Sequence, residues 1–391
     1  MIHLFWIAGG ILALVWVGRL LDAALGMPSV PDISRPKWAP QQETSTNQPR
    51  ISIIVPARNE EQDIAATLQR LLTLDYEHYE VIAVNDRSTD RTGAIMDQIA
   101  AQAPSGHPLR VIHIADLPPG WLGKPHAMWT ASQQATGDWL LFTDADVLFK
   151  PDVLRRVLAY AASQAADHVV LFPQMIMHTP GERMMIAFFQ TMFVFGHRPW
   201  KVADPKAKDH MGVGAFNMVR RDVYNAVGGF QTLRMEILDD MKLGKLVKEA
   251  GYVQRCVFGR DLISIRWIRG TLGLIENMSK NSFAVLSFQP WRVLGSCFLL
   301  AFLHVGPFLG IWLAHGWARL PFAIALACVF GVYVGMSWKS PIPPYYFIFH
   351  PIGAAASIYV ILQSMLLAIT RGGIVWRGTF YPLQELREGM K

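Results

Sequence analysis

Apolar positions along the chain fall into two patterns, long runs at the two ends and short runs in the middle. The N-terminal run covers 4–18 and continues as Leu20–Leu25 after Arg19. Three further runs lie near the other end, at about 293–315, 319–337 and 345–370. Runs of this length can cross the roughly 30 Å hydrocarbon core of a bilayer as helices. The pattern predicts membrane segments at both ends, the C-terminal ones as spans or as a hairpin with one span.

The N-terminal run is predicted to stay in the protein as a membrane helix over 1–27. A cleaved signal peptide would normally start with basic residues, whereas only His3 precedes this run. Arg19 would extend its side chain to the membrane interface. The following residues, 28–49, are polar and contain four prolines, so they are predicted to form a linker.

The middle of the chain alternates between strand and helix patterns. Apolar runs predict strands, and helical spacing follows the first of them over 61–74. The predicted strands are Ile51–Val55, Tyr79–Val84, Val111–Ile114 and Trp139–Phe142. This alternation predicts an α/β fold with a mostly parallel sheet and right-handed crossovers. The polar residues that follow each strand are therefore expected along one sheet edge.

Two carboxylates follow the fourth strand, Asp144 and Asp146, with Ala145 between them. In an extended chain, residues two apart point the same way, and ligands collect at the carboxyl ends of strands in open α/β sheets. Two oxygen donors on one side predict a site for Mg²⁺ or Mn²⁺ that also grips a substrate diphosphate. The alternative is an exposed turn that contains two aspartates by chance. A second pair, Asp239 and Asp240, precedes a helical pattern, where a lone carboxylate is usually an N-cap.

Composition favours a membrane protein over a nucleic-acid-binding one. Hydrophobic residues make up 52% of the chain and charged residues only 17%, while the net charge is a modest +6. Basic residues cluster near the ends of the apolar runs, which suits lipid headgroups. Residues 181–197 are apolar but interrupted by Gln190 and His197. They are predicted to form a helix lying on the bilayer, with core packing as the alternative.

Five motifs stand in order in the middle of the chain: Pro56–Glu60, Asp86, Gly123-Lys124, the Asp144/Asp146 pair and the Asp239/Asp240 pair. Over about 50–270 this series resembles the inverting glycosyltransferases of family 2, which have the GT-A (nucleotide-diphospho-sugar transferase) fold. Within this family, the flanking apolar runs and the stretches 120–124 and 376–381 indicate one subgroup. They look like the membrane-bound lipid glycosyltransferases, the group that includes ceramide glucosyltransferase-like, hopanoid-associated and carotenoid-acid enzymes.

The resemblance assigns roles to individual residues on the donor side. It implies a UDP-sugar whose uracil and ribose are held by the first two loops, whose phosphates meet Lys124, and whose metal ion, Mg²⁺ or Mn²⁺, is bound by Asp146. Asp144 would contact the metal, the ribose or both. The implied nucleotide-sugar-binding set is Pro56, Ala57, Arg58, Asn59, Glu60, Asp86, Lys124, Asp144 and Ala145.

The resemblance also implies a catalytic base, Asp240, with Asp239 as the second choice. An acceptor hydroxyl is a poor nucleophile near neutral pH, so a carboxylate has to take its proton as the new bond forms. Many relatives carry a Gln/Arg-x-x-Arg-Trp motif after the base. This chain keeps Arg266 and Trp267, assigned to the diphosphate and the acceptor, but has Ile263 at the first position. A basic and aromatic belt at the membrane interface is the alternative for this pair.

The predicted function is transfer of one hexose from a UDP-sugar to a membrane lipid, with inversion at the anomeric carbon. One rival uses polyprenyl phosphate as acceptor, and another is a scaffold protein with an inactive GT-A domain. The scaffold predicts loss of a metal or base carboxylate, yet these are present. A nucleotidyltransferase would need a glycine-rich loop where this chain has Pro56–Glu60.

The predicted organisation places a cytoplasmic catalytic domain at a cell membrane, in a bacterial inner membrane. The segments are an N-terminal transmembrane helix (1–27), a linker (28–49), the GT-A domain (50–270), an interfacial segment (271–292), transmembrane helices (293–370) and a basic tail (371–391). Four full crossings would put the basic tail on the side opposite the catalytic domain. Either the tail is external, or one segment does not cross.

Overall fold

The computed structural model describes residues 2–39, 48–103, 108–270, 273, 278 and 282–389, and every structural statement below concerns these residues. The chain folds as two compact units. The sheet unit comprises Val30–Ile176, Pro199–Arg266 and Glu388–Lys391. The helical unit comprises Met1–Ser29, Met177–Arg198 and Trp267–Arg387.

The strands follow the short apolar runs of the middle of the chain. They are β1 Ile51–Ala57, β2 Tyr79–Asp86, β3 Leu109–Ile114, β4 Trp139–Phe142, β5 Val147–Phe149, β6 His168–Phe172, β7 Gln174–Met175, β8 Asn217–Arg220, β9 Gln254–Phe258, β10 Ile263–Ile265, β11 Gly373–Trp376 and β12 Thr379–Pro382. The first four agree with the predicted strands to within three residues at either end.

The main sheet has seven strands in the order β3-β2-β1-β4-β8-β6-β9. Strands β1 to β4 are parallel to one another, whereas β8 runs antiparallel to both β4 and β6. Strands β1 and β4 are buried along their whole length because helices cover both faces of a parallel sheet. The predicted α/β fold with a mainly parallel sheet is confirmed, and the carboxyl ends of β1, β2 and β4 meet at one edge.

The helices of the described residues, in chain order, are α1 Ile2–Gly26, α2 Ile64–Leu71, α3 Thr92–Ala101, α4 Gly123–Gln134, α5 Val153–Ser163, α6 Pro180–Gly196, α7 Arg221–Ala226, α8 Gly229–Thr232, α9 Asp239–Glu249, α10 Ser282–Val285, α11 Pro290–Leu300, α12 Gly306–Leu313, α13 Leu320–Ser337, α14 His350–Thr370 and α15 Leu383–Gly389. A π-helical turn, Ala301–Val305, joins α11 to α12.

A small second sheet extends the main sheet edge beyond Asp146. Its order is β5-β10-β7, and β10 runs antiparallel to β5 with Ile265 opposite Val147. Strand β5 begins one residue after Asp146. Arg266 follows the last residue of β10.

The helical unit contains four candidate membrane spans, Ile2–Ser29, Pro290–Leu313, Gly316–Ser337 and Pro344–Thr370, each about as apolar as a lipid-exposed helix. They correspond to the four long apolar runs of the sequence. Helix α6 belongs to the same unit and begins at a capping box, in which Thr179 Oγ1 accepts the Glu182 N–H at 3.2 Å and the Glu182 carboxylate accepts the Thr179 N–H. Its predicted position on the bilayer stays a prediction.

The start of the predicted linker packs on the sheet unit. Ile33 is fully buried, its N–H donates to Phe258 O at 2.8 Å, and the Phe258 N–H donates to Pro31 O at 2.8 Å. The reason is that Val30 and Ile33 are apolar and lie against β9. Residues 40–47 of the linker and most of 271–281 lie outside the described residues, and the predicted domain boundaries stay predictions.

Candidate active site

The loops after β1 and β2 are hydrogen-bonded into one surface at the sheet edge. The Asn59 N–H donates to Ser88 Oγ at 3.0 Å, and Asn59 Oδ1 accepts the Thr89 N–H at 2.8 Å. Asn59 itself has φ of 56°, a left-handed conformation that asparagine tolerates better than most residues. Glu60 is fixed through its N–H, which donates to Thr92 Oγ1 at 2.8 Å. The sequence-predicted residues from Pro56 to Glu60 are therefore held against the loop that starts at Asp86.

Asp86, at the end of β2, is buried and paired with the adjacent Arg87. The Arg87 guanidinium donates to both carboxylate oxygens, at 2.6 and 3.0 Å. Gly123, the first residue of α4, lies against this pair so closely that a side chain there would strike the Asp86 carboxylate and the Arg87 guanidinium. A larger residue before Lys124 would displace these two side chains from their present positions, so the Gly123-Lys124 and Asp86 motifs lie side by side.

Lys124 lies in the first turn of α4 and reaches into a cleft lined by carboxylates. Its ammonium is 2.7 Å from Asp144 Oδ1 and 3.8 Å from Asp239 Oδ2. Burial alone would lower the pKa of Lys124, but Asp144, Asp239 and Asp240 together raise that pKa above its ordinary value. The side chain is therefore a fixed positive charge in the cleft.

Asp146 is buried and lies among other acidic residues. Burial, followed by repulsion from Asp144, Glu60 and Asp63, raises the pKa of Asp146 to about 7. The turn that contains Asp146 is held in place by a hydrogen bond, in which Thr67 Oγ1 donates to Ala145 O at 2.9 Å. Asp144 is thus paired with Lys124, while Asp146 lies close to Asp144 as well as to Glu60 and Asp63.

Asp239 and Asp240 begin α9 and complete the cleft. Burial raises the pKa of Asp239 to about 7, with Lys124 opposing and Asp240 and Asp144 adding to the rise. Burial also raises the pKa of Asp240, although Lys124 and the Met241 N–H, which donates to its Oδ1 at 2.7 Å, work against the shift. A raised pKa makes a carboxylate a better proton acceptor, so both groups are suited to general base chemistry.

Sequence reasoning gave no role to the glycine-rich loop before β8, yet this loop connects the two acidic pairs. A side chain on Gly214 would stand 2.5 Å from an Asp144 carboxylate oxygen, and one on Gly212 would strike the backbone of Asp240. Gly214 O also accepts the Asp144 N–H at 3.0 Å. The spacing Gly-x-Gly directly before a strand was the available signal for close backbone approach.

Buried polar side chains form a series of hydrogen bonds that ends at the backbone carbonyl of Asp240. The sequence analysis did not predict this series. Asn217 Nδ2 donates to Asp240 O at 3.3 Å, and Asn217 Oδ1 accepts from His168 Nε2. The other ring nitrogen of His168 accepts from Gln254 Nε2 at 2.7 Å. Burial disfavours the charged form and lowers the pKa of His168 to about 4, although the contact with Asn217 acts in the opposite direction. The residues lie far apart in sequence, on β6, β8 and β9.

The Arg-Trp pair is divided between the two units. Arg266 directly follows β10 and belongs to the sheet unit. Trp267 belongs to the helical unit, where its ring centre lies 4.5 Å from that of Phe189 on α6. Ile263, at the position of the missing Gln/Arg, is fully buried in β10, which explains why an apolar residue is kept there.

The residues present fit a divalent cation held together with a substrate. Among the described residues, no three His, Cys, Asp or Glu side chains form a group that could hold a metal ion alone. Asp144 and Asp146 supply hard oxygen donors, and the pKa of Asp146 is raised first by burial and then by repulsion from neighbouring carboxylates, which a cation would offset. Mg²⁺ characteristically takes one or two carboxylates plus substrate phosphates.

The cleft therefore gathers one lysine with several carboxylates. Its lining includes Lys124, Thr143, Asp144, Gly214, Asn217, Asp239 and Asp240. The N-terminus of α4, which carries Lys124, adds a helix dipole that favours anions. Chemically, the arrangement can hold a metal-bound anion at one end and accept a proton at the other.

Three comparisons with known proteins agree with this geometry. Residues 52–228 match the family described as glycosyl transferase family 2. The beta-monoglucosyldiacylglycerol synthase of Synechocystis sp. is 34% identical over 161 residues, which is 41% of this chain and 33% of that protein. The 4,4'-diaponeurosporenoate glycosyltransferase of Staphylococcus haemolyticus is 26% identical over 256 residues, 64% of this chain and 65% of its own. This chain thus spans about a third and just under two thirds of these two relatives.

A solved structure gives the same fold. The mannosyltransferase PcManGT from Pyrobaculum calidifontis, in complex with GDP-Man and Mn²⁺, superposes with a TM-score of 0.53 over 92% of this chain and 99% of that one. The sequence identity is 20%, so the likeness concerns the fold alone.

Proposed function

We propose that this enzyme, whose residues 52–228 match glycosyl transferase family 2, moves a single hexose from a UDP-sugar to a membrane lipid and inverts the anomeric carbon. The observation that carries the proposal is the cleft in which Lys124 lies 2.7 Å from Asp144 and 3.8 Å from Asp239, with Asp240 next to them. This cleft supplies both halves of the reaction, a site for a departing diphosphate and a base for the acceptor.

Asp240 acts as the general base. The acceptor hydroxyl or carboxyl oxygen forms its bond to the anomeric carbon while Asp240 takes any proton the acceptor carries, and the bond to the nucleoside diphosphate breaks on the opposite face. A carboxylate whose pKa burial raises toward neutrality is well matched to this task. The Met241 N–H and the Asn217 contact to its backbone hold it in one orientation. An α-linked donor then yields a β-glycoside.

Lys124 and the α4 N-terminus bind the diphosphate of the donor. In this structure the Lys124 ammonium forms an ion pair with the Asp144 carboxylate. When the donor enters, the ammonium exchanges this contact for phosphate oxygens, and Asp144 and Asp146 hold Mg²⁺ or Mn²⁺. The bound metal stabilises the negative charge of the leaving nucleoside diphosphate. Pro56 to Glu60 and Asp86 line the nucleoside side, where their loops are hydrogen-bonded together.

A lipid acceptor is supported by the helical unit and by the relatives. Four apolar helices would keep the enzyme at the bilayer, where lipid acceptors are concentrated. The names of the two relatives refer to a glucosylated diacylglycerol and to a carotenoid acid, both of which are lipids. With nucleotide-sugars made in the cytoplasm, the sheet unit would lie on the cytoplasmic side of the cell membrane.

The test is transfer of tritium from labelled donors to the organic phase. The purified full-length enzyme is incubated with total membrane lipid, Mn²⁺ or Mg²⁺, and one donor at a time: UDP-glucose, UDP-galactose, UDP-N-acetylglucosamine or, since the fold neighbour holds GDP-Man, GDP-mannose. We expect metal-dependent lipid labelling with one UDP-sugar. Transfer only to added polyprenyl phosphate would overturn the lipid acceptor in favour of that rival, and transfer only from GDP-mannose would overturn the UDP donor.

The matched variants are Asp240→Asn and Asp222→Asn. The first keeps the shape of the side chain but removes the base, and should lower kcat by about 10³-fold while nucleotide binding, followed by calorimetry, is kept. Asp222 is 63% exposed at its side chain, so its variant should behave as wild type. An Asp240→Asn enzyme with wild-type turnover would remove Asp240 as base. Absence of both turnover and nucleotide binding in the wild type would favour the scaffold rival.

A further inference from the structure

Contacts inside the helical unit fix the direction of each apolar helix. Helices α1 and α13 run parallel, because Gly9 faces Pro321 near their starts and Gly331 faces Leu20 near their ends, with would-be Cβ distances of 2.9 and 3.1 Å. The chain leaves α1 and reaches the sheet unit at Val30. We call the membrane face at which α1 and α13 end the proximal face, and the opposite one the distal face.

The α11–α12 helix runs the other way. The Trp16 indole N–H donates to Leu303 O at 2.9 Å, and Gly306, three residues further, lies against Leu12, four residues earlier on α1. The Leu303 carbonyl lies in the π-helical turn, which locally breaks the regular hydrogen-bonding pattern of the helix. This helix therefore starts at the proximal face and ends at the distal face.

Exposed tryptophans mark the two faces. Trp312 and Trp317 are each 80% exposed at the distal ends of their helices, and Trp291 and Trp338 are 68% and 75% exposed at the proximal ends. The α11–α12 helix has one proximal and one distal tryptophan, at 291 and 312, and α13 has a distal and a proximal one at its two ends, at 317 and 338. The two tryptophans of each pair are 21 residues apart, which is about 31 Å at 1.5 Å per residue. This is the thickness of a bilayer core, and tryptophan is enriched at both of its interfaces.

The fourth apolar segment starts at the proximal face and goes to mid-depth. After Trp338 the chain passes through prolines at 341, 343 and 344 into a 3₁₀ helix, Pro344–Phe349. The Phe347 ring lies 5.3 Å from Phe330 and 5.7 Å from Phe308, and His350 Nε2 lies 3.0 Å from His304 Nδ1. His304 is 13 residues from the proximal tryptophan of its helix, about 20 Å.

From this depth the segment turns back. Helix α14 begins at His350, and 14 residues later Ser364 Oγ accepts the Phe283 N–H at 3.1 Å. Phe283 lies on α10, before α11 starts at the proximal face. Helix α14 thus runs from mid-depth to the proximal face, and Arg371 follows its end.

We propose that residues 339–370 form a re-entrant segment that enters and leaves the bilayer at the proximal face. The chain then crosses three times, by α1, α11–α12 and α13, and its basic tail lies on the proximal side. The segment is long and apolar enough to be a span, but its irregular start is of the kind that membranes admit only when buried in protein. Ile342 and Tyr346 are each 5% exposed.

Two independent features agree with this topology. Basic residues adjoin the proximal face at Arg292, Lys339, Arg371 and Arg377, against Arg319 at the distal face, which marks the proximal side as cytoplasmic. In addition, Gly389 at the end of the tail belongs to the sheet unit and packs against Met235 of that unit, with a would-be Cβ distance of 2.6 Å. Four crossings would have put the basic tail and the catalytic domain on opposite sides of the membrane. Three crossings put them on the same side.

Accessibility of single cysteines tests the topology in the full-length enzyme. In a background of Cys256→Ser, Cys297→Ala and Cys328→Ala, one exposed residue at a time is replaced: His3→Cys, His315→Cys, Lys339→Cys, Glu385→Cys or Glu249→Cys. A membrane-impermeant maleimide is applied to intact cells and to inverted vesicles. We expect Lys339, Glu385 and the sheet-unit reporter Glu249 to label together, from the side opposite His3 and His315. Labelling of Glu385 together with His315 would overturn the proposal.

Depth measurements distinguish the two paths in another way. Nitroxide labels at Ile348 and Tyr359, which are 63% and 55% exposed, are compared for oxygen and nickel-chelate accessibility in proteoliposomes. The re-entrant path places Ile348 deeper than Tyr359, whereas a full span starting at Pro344 places Tyr359 deeper, and that order would refute it. If the cysteine-free background does not fold, the wild-type chain carrying C-terminal green fluorescent protein gives the same decision, since fluorescence is expected only for a cytoplasmic tail.

Discussion

The sheet unit and the helical unit both bury polar side chains, but they satisfy them differently. In the sheet unit, Lys124 faces Asp144, Asp239 and Asp240, so that one positive charge stands against three carboxyl groups. In the helical unit, Tyr333, His350 and His304 form a hydrogen-bonded chain, with Oη–Nδ1 and Nε2–Nδ1 distances of 3.1 and 3.0 Å. Neutral rings and a hydroxyl can satisfy this chain without any charge.

The surroundings of the two clusters follow the same division. Phe188, Phe308 and Trp16 stack around the histidines, which is typical of packing between helices. In the sheet unit, Asp144 follows the carboxyl end of β4, at the sheet edge where substrates bind, and Asp239 and Asp240 begin α9. The comparison teaches that buried polarity alone does not mark a catalytic site. An imbalance of charge does, because a ligand or metal is needed to complete it.

The largest effect is expected where the charge balance is broken. Lys124→Met removes the cation that compensates Asp144 and Asp239, and breaking a buried pair costs about 3 kcal/mol, or roughly 6–12 °C in Tm for a unit of this size. Turnover should be lost as well. Differential scanning fluorimetry of the full-length enzyme in detergent at pH 7.5 measures the shift. Lys245→Met, which removes a half-exposed partner of Glu249, is the control, and equal Tm values for the two variants would contradict the idea.

A smaller effect should appear as a pH dependence. The pKa of Asp239 is raised to about 7 in the folded protein, above the ordinary value of about 3.9 for an unfolded aspartate. The folded state therefore binds the proton more tightly, and stability falls as pH rises from about 4 to 7. Asp239→Asn cannot ionise, so its Tm relative to wild type should rise over this window by several degrees.

The control for this pH series is Asp222→Asn, whose exposed side chain should leave the Tm difference flat. All samples contain EDTA, because a bound cation would stabilise the charged form and reduce the slope. Curves for Asp239→Asn and wild type that stay parallel from pH 4.5 to 8 would show that Asp239 is not held in its protonated form by the fold.

Much of the catalytic region was predictable because its signals are local. The strands before Asp86 and Asp144 are apolar runs that stop at polar residues, and parallel pairing then brings their ends together. Sequence reasoning also predicted that Lys124 acts together with the loops after β1 and β2, and in the structure the neighbouring Gly123 lies against Asp86 and Arg87. Residues within one motif or one strand end need no knowledge of distant contacts.

The parts that sequence missed depend on contacts between distant positions. His168, Asn217 and Gln254 are ordinary polar residues in three strands, and only the β8-β6-β9 order of the sheet brings them together beneath Asp240. Residues 345–370 were predicted as a possible span because length and apolarity do not report direction. The turn at Phe347 is visible only through its partners on α12 and α13.

The buried chain beneath the base gives a third prediction. Asn217→Ser leaves the Asp240 carbonyl and His168 without their amide partner, so the base should lose part of its orientation. We expect kcat to fall about tenfold, which is 1.4 kcal/mol, while the KM for the donor changes less than twofold. Asn225→Ser, at an exposed position of α7, should leave both constants unchanged. A variant with reduced Tm but wild-type kcat would mean that the chain serves only stability.

The smallest effect is expected in the helical unit, where the polar chain is neutral and satisfied. A double-mutant cycle of Tyr333→Phe and His350→Phe isolates the hydrogen bond between the two side chains. Interhelical hydrogen bonds of this kind contribute about 0.6 kcal/mol in membranes, so the coupling should be close to that value and turnover should stay within about twofold of wild type. Thermal denaturation and lipid labelling of the four proteins measure both quantities. A coupling above about 3 kcal/mol, or loss of turnover in His350→Phe at unchanged Tm, would mean that the helical unit too holds a functional charge, and the contrast between the two units would fail.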